Sequence, residues 1–173
     1  MAAPSGALYL VFADNRIGRH DVIGKPFTNA KVFVIMSTDG GATWSAPVLV
    51  DPTPADQWFP WVDVNPVTGE IGIIYHQRRS GTPLYDTRFA VGTPGAFRIT
   101  NISTAPSNPG NSAVFRAGVP GCANCADFHG DHIRVAYGSD GRANLVWTDM
   151  RRLVRKNQGP ARGYTQNIFF ARQ

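Results

Sequence analysis

The chain is written in short apolar runs broken by turns. Residues 62–75, VDVNPVTGEIGIIY, hold an apolar run, a Pro-Val-Thr-Gly turn and a second apolar run. Residues 133–147, IRVAYGSDGRANLVW, repeat the arrangement around Gly-Ser-Asp-Gly. Runs of this length, rich in β-branched residues and bounded by turn formers, predict tight β-hairpins. Further strands are predicted after polar loops at 31–36, 84–91 and 166–171, and again at 47–50 and 96–102. Little of the chain suits a helix, and the pattern as a whole reads as all-β.

The hairpins belong to a repeat. Gly6-ALYLV-Phe12-ADN-Arg16, Gly69-EIGII-Tyr75-HQR-Arg79 and Gly141-RANLV-Trp147-TDM-Arg151 share one spacing. In each, an aromatic residue stands 6 positions after the glycine and an arginine 4 positions after the aromatic. The copies divide the chain into units of about 1–56, 57–104 and 105–173. Four short antiparallel strands per unit describe a β-propeller blade, and about ten strands make two and a half to three blades. A β-sandwich is the alternative arrangement of the same strands. The first unit starts at its second strand and the last stops at its third. Open blade edges invite pairing, so either a homo-oligomer closing those edges or a chain cut from a longer parent is expected.

Composition agrees with many loops and few helices. Among 173 residues, 18 are Gly and 13 are Pro, and only 17% are charged. The net charge is +5, with arginine carrying the excess over lysine. A guanidinium binds carboxylates and phosphates through two parallel hydrogen bonds, so an anionic ligand fits; a merely basic surface fits equally well. There is no dense basic run with interleaved aromatics, which argues against nucleic acid. No run of 18 apolar residues exists, which argues against a membrane helix. Residues 1–12 lack a charged segment and a long apolar segment, so no signal peptide is read there.

Ser37-Thr-Asp39-Gly-Gly41-Ala-Thr43-Trp44 fits the Ser-x-Asp-x-Gly-x-Thr-Trp pattern of the Asp-box. Asp39 is expected to accept backbone N–H groups across this turn, the glycines to permit positive φ, and Trp44 to pack into the blade. Its role is structural. Unit two keeps a shortened remnant, Gly92-Thr-Pro-Gly95-Ala-Phe97. With the repeats, the chain resembles the sialidase-like superfamily of Asp-box (BNR-repeat) propellers over nearly its whole length. Residues 57–79 and 128–152 look like the last blades of secreted bacterial members described as exo-α-sialidases. The resemblance implies a glycan-processing or glycan-binding fold in a secreted or periplasmic protein. It does not by itself assign an activity.

Strand alternation sends loops to two faces. The second-to-third loops and the connections between blades share the richer face, where propellers of this family carry their sites. Arg16, Arg79 and Arg151, with Trp58 and His76, are the candidate carbohydrate-binding residues there. Two readings of the arginines stand: a converging trio that holds a substrate carboxylate, or a repeated device that ties each loop to a nearby carboxylate such as Asp14 or Asp149.

A retaining sialidase needs a tyrosine nucleophile, a carboxylate to polarise it and an Asp acid/base. Asp14, Asp149 and Tyr164 are the candidates, with Tyr85 as a second phenol. The single glutamate, Glu70, follows a turn on the opposite face. The Phe/Tyr-Arg-Ile-Pro motif that opens many sialidases is missing. The leading expectation is a glycoside hydrolase-like protein, and the alternative a non-catalytic propeller that binds glycan or protein. A third reading, a metal-dependent enzyme, rests on Cys122, Cys125, His129 and His132. Two thiolates and two imidazoles suit tetrahedral zinc, and neighbouring aspartates make copper conceivable. A Cys122–Cys125 disulfide pinning the loop is the leading alternative, and free thiols are the other. No cofactor is otherwise expected.

Overall fold

The structure, a computed structural model, describes residues 3, 5–17, 30–108, 132–151, 153–155, 162–164 and 167–173. These residues form twelve strands and no helix. Strands β1 (Leu8–Asp14), β2 (Lys31–Ser37) and β3 (Val48–Leu49) make the first sheet in that order. The second is a four-stranded meander of β4 (Gln57–Val64), β5 (Ile71–Arg78), β6 (Tyr85–Thr93) and β7 (Ala96–Asn101). The third runs β8 (Ile133–Tyr137), β9 (Ala143–Asp149) and β12 (Asn167–Arg172), again as neighbours in sequence order. All pairings are antiparallel. The fold is all-β.

Ten of these strands fall where the apolar runs predict them. The other two, β10 (Leu153–Arg155) and β11 (Arg162–Tyr164), pair with each other between β9 and β12. Their short, arginine- and glycine-bearing segments lack the alternation that marks a strand.

The repeated glycines share one backbone conformation. Gly6, Gly69 and Gly141 have φ of 83°, 76° and 77°, the left-handed region that glycine enters without a Cβ clash. Each lets the chain turn into the second strand of its unit. Asn65 ties the turn before β5: its Oδ1 accepts from the Val67 and Thr68 amides at 2.9 and 3.2 Å.

The sheets stack face to face, with the second in the middle. Ile71, Ile73 and Tyr75 point toward the first sheet and meet Val32, Val34 and Val50. Ile74 and Phe89 point the other way and meet Ile133, Val135, Leu145 and Trp147 of the third. Strand β5 is therefore buried on both faces, which explains its unbroken apolar run. Each of its fully buried isoleucines contributes about 2 kcal/mol. Polar bonds lock the stack: the Tyr137 amide donates to Asp63 Oδ2 at 2.7 Å, and Asn65 Nδ2 to the Gly141 carbonyl at 3.0 Å.

Register places one end of every sheet together. One end carries the tight turns, including 37–47, 65–70 and 138–142. The other carries the last residues of β1, β5 and β9 and the first residues of β4 and β8.

The 37–44 turn is closed by its own side chains. Asp39 Oδ1 accepts from the Thr43 amide at 2.9 Å and from the Ser37 hydroxyl at 2.7 Å, and Ser37 Oγ accepts from the Gly41 amide at 2.9 Å. Hydrogen bonds from Thr43, side chain first and then backbone, hold the Asp39 carboxyl far below the usual carboxylate range. Trp44 departs from expectation. It does not sink into a core but stays 41% exposed, lining a groove of about 490 Å³ with Leu8, Leu10, Pro60 and Trp61. Among the described residues β1 is the edge strand of the first sheet.

Candidate functional site

The loop-bearing end gathers the polar and aromatic residues that stand out in the sequence. Its centre is aromatic. In the β4–β5–β6 ladder Trp58 stands opposite His76, and His76 opposite Thr87. The Tyr85 ring meets the His76 ring edge-on at 4.8 Å and the Trp58 ring at 5.4 Å. A bulge between Trp58 and Trp61 re-aims the start of β4, and within it Phe59 takes a φ of 51° just before Pro60. Non-glycine residues visit that region rarely, so the bulge holds local strain that the surrounding sheet supports.

His76 and Tyr85 are fully buried. His76 Nδ1 lies 3.2 Å from Thr87 Oγ1. Burial pushes the Tyr85 phenol well above its ordinary range, and the neighbouring Asp149 charge adds to the effect. A phenol so placed resists ionisation and is a poor nucleophile.

Asp149 ends β9, also fully buried. Its Oδ1 accepts from the Arg151 amide and Nε, both at 2.9 Å, and its Oδ2 from Arg151 Nη2 at 2.5 Å and Trp147 Nε1 at 3.1 Å. Burial alone pushes this carboxyl up, but the bonds from Arg151 and Trp147 together hold it below the usual range. Arg151 Nη1 also donates to Thr104 Oγ1 at 2.6 Å. The third sheet is thereby tied to the segment that follows β7.

The other repeat arginines are held in the same way, each by its own sheet. Arg16 Nε donates to Asp14 Oδ2 at 2.8 Å. Arg79 donates Nε and Nη2 to Asp86, at 2.6 and 2.9 Å. In unit two, Gln77 stands where Asp14 and Asp149 stand in the others, and Asp86 on β6 supplies the carboxylate instead. Two of the guanidiniums also cover an aromatic ring on the third strand of the unit. Arg16 lies over Phe33 at 5.3 Å and Arg151 over Phe169 at 4.3 Å. Those phenylalanines face the repeat aromatics: Phe12 stacks on Phe33 and Trp147 on Phe169, with centroids 5.9 and 6.0 Å apart. Phe33, Phe169 and Asp86 escape sequence reading because their partners are set by strand register.

A second buried network braces the connection into β4. Tyr75 Oη donates to Asp51 Oδ2 at 2.7 Å, and Gln57 Nε2 to the Asp51 carbonyl at 3.1 Å. Lys31 Nζ donates to the carbonyls of Thr53 and of Ala55, the latter at 2.6 Å. Desolvation pushes this ammonium below its ordinary range, while Asp51 and Asp56 oppose the shift.

Trp58, His76, Asp149 and Arg151 are thus gathered around Tyr85, while Asp14–Arg16 and Arg79–Asp86 form pairs of their own. Glu70 lies at the turn-bearing end, where Arg98 Nη2 donates to it at 3.0 Å. The backbone of Tyr164 pairs with Leu153 in the β10–β11 hairpin. Cys122, Cys125 and His129 lie outside the described residues. His132 precedes β8, and its carbonyl accepts from the Thr148 amide at 3.1 Å. Among the described residues no cluster of three or more His, Cys, Asp or Glu side chains is placed to hold a metal ion. None of the described residues form a helix long and apolar enough to cross a membrane. Neither a protein-family model nor a curated protein matches this chain.

Proposed function

We propose that the chain is a run of sialidase-like, Asp-box propeller blades that engages anionic carbohydrate at its loop-bearing end, and that alone it binds rather than hydrolyses. One observation carries the second half. Tyr85 and Asp149, the candidate phenol and carboxylate that lie next to each other, are both fully buried, and Asp149 is occupied by Arg151. A nucleophile needs an accessible, polarisable oxygen, and an acid/base needs an exchangeable proton near neutral pH. The propeller reading is supported by three stacked antiparallel sheets, the shared glycine conformation and the Ser37–Asp39–Thr43 turn. The ligand class is supported by Arg16 and Arg78, whose side chains are 42% and 50% exposed just beyond the ends of β1 and β5. A flat aromatic ring packs against the C–H face of a sugar, and a guanidinium pairs with its carboxylate.

The test is a glycan array carrying sialylated, uronate-bearing and neutral sugars, run alongside 4-methylumbelliferyl glycosides of the same classes. Binding to acidic glycans that weakens with salt and with Arg78→Glu is expected, with no fluorophore released. Absence of binding removes the glycan reading. Turnover of any glycoside removes the non-catalytic one and favours the hydrolase, with Tyr85 and Asp149 then rearranging to become accessible.

A further inference from the structure

We propose that the cleft between β4 and β8 takes one ring-borne carboxylate, with the acid on Arg134 and the ring against Phe59. The proposal stands apart from the carbohydrate reading, because the same chemistry belongs to an acidic sugar and to an aromatic acid.

The two strands belong to neighbouring sheets, and both begin at the loop-bearing end. The amide of Tyr137, the last residue of β8, donates to Asp63 Oδ2 near the end of β4, and this bond closes the sheets on each other there. Toward the starts of the strands the bulge between Trp58 and Trp61 turns β4 aside. A pocket of about 180 Å³ lies at that level, lined by Phe59, Pro60, Trp61, His132, Ile133 and Arg134. Cavities for drug-sized ligands run from about 300 to 1,000 Å³, so this one has room for a single small ring. Both walls come from sheets that pack on each other within the chain, through Ile74 and Phe89 against Ile133 and Val135.

Arg134 supplies the charge. Its guanidinium carbon lies 4.2 Å from the centre of the Trp61 ring. Stacking uses the flat face of a guanidinium and leaves the in-plane fork of N–H groups for a carboxylate. Arg16, Arg78, Arg79 and Arg151 each hold an aspartate. Among the described residues no aspartate or glutamate pairs with Arg134. An arginine fixed on a ring, at the wall of a cleft and without an internal carboxylate, offers its fork to an anionic ligand.

Phe59 supplies the ring contact. It is 38% exposed and has a φ of 51°. Backbone strain of this kind gathers at ligand sites, and here it holds a phenyl ring in the pocket wall. An exposed aromatic face suits the flat side of a second ring.

The full chain is titrated by calorimetry with glucuronate and benzoate, each compared with its neutral counterpart, glucose or benzyl alcohol. At least one acid is expected to bind about tenfold tighter than its counterpart, and Arg134→Gln to weaken it by about tenfold with the melting temperature unchanged. Arg98→Gln removes an equal charge at the turn-bearing end and is expected to leave the affinity as it is. That comparison separates the site from the general pull of a chain with net charge +5. Binding of glucuronate assigns the pocket to an acidic sugar. Binding of benzoate alone, with a silent glycan array, assigns it to an aromatic acid and removes the carbohydrate reading while this one stands. The proposal is overturned if neither acid binds, if Arg134→Gln changes nothing, or if both variants lose affinity equally. Array binding that survives Arg134→Gln also overturns it and leaves the carbohydrate reading intact. If Arg134→Gln fails to fold, Arg134→Lys, which keeps the charge and loses the fork, takes its place with the same expectation.

Discussion

Asp149 grips Arg151 with both carboxylate oxygens, and Asp14 holds Arg16 two residues away in the same sense. The spacing is identical and the surroundings differ. Asp149 is sealed beneath Trp147 and Met150, while the Asp14 and Arg16 side chains are both more than a third exposed. The repeated arginine thus serves first as a clamp on the end of its own strand.

Burial decides what each clamp is worth. Removing one partner of a buried pair leaves an uncompensated charge, so Asp149→Ala is expected to destabilise the chain by about 3 kcal/mol. Asp14→Ala, at a solvated pair, is expected to cost less than about 1 kcal/mol. Guanidinium unfolding midpoints of the two variants measure the difference; equal effects would mean that burial is not the deciding variable.

Acid should release the same clamp. The native carboxyls of Asp149 and Asp51 are both held below their unfolded values. As pH falls below the ordinary aspartate value of about 4, the unfolded chain takes up protons first, so stability rises with pH through that window. The contribution is complete above it and disappears as pH passes down through the depressed native values. Melting temperatures followed from neutral pH into that acid range should therefore drop, and Asp149→Asn should flatten the drop. A melting temperature that stays level into strong acid contradicts this assignment.

The repeat glycines should tolerate substitution unequally. At Gly69 (φ 76°) an added Cβ meets nothing within 4 Å, so Gly69→Ala carries only the left-handed backbone term of about 1 kcal/mol. At Gly141 (φ 77°) the Cβ also comes within 3.2 Å of Asn65 Oδ1 and of Val67. Gly141→Ala is expected to be the more damaging, because it also presses on the Asn65 bond between sheets. Thermal unfolding of the two variants ranks them.

Gly72 keeps two sheets close. A Cβ there lies 2.5 Å from Tyr137 Oη and 2.8 Å from the Phe89 ring. Overpacking should make Gly72→Ala cost about 2 kcal/mol, and adding Tyr137→Phe should recover part of it by removing the nearest atom. Urea denaturation of the single and double variants reads both effects, and no recovery would place the strain on Phe89 alone.

Much of the architecture was legible because strands advertise themselves. Apolar runs bounded by Gly, Pro and Asn marked ten of the twelve strands, and the glycine-to-aromatic spacing marked the units. The loop-bearing end was legible too, since strand direction alone sends successive connections to opposite ends. The β10–β11 hairpin was not, for its three-residue strands show no alternation. Trp44 misled because the motif around it prescribes a turn, whereas burial depends on which strand lies next to the indole.

By itself, then, the sequence determined the local conformations: left-handed turns at Gly6, Gly69 and Gly141, hairpins of period two, and an Asp39 turn closed by its neighbours. These depend on a few adjacent residues and on sterics that act within the chain. Only the tertiary structure decided that Arg79 turns to Asp86, that Phe33 and Phe169 sit beneath Arg16 and Arg151, and that Tyr85 and Asp149 are sealed from water. Those outcomes depend on cross-strand register and on which sheet covers which face, and both are settled by packing between residues far apart in the chain.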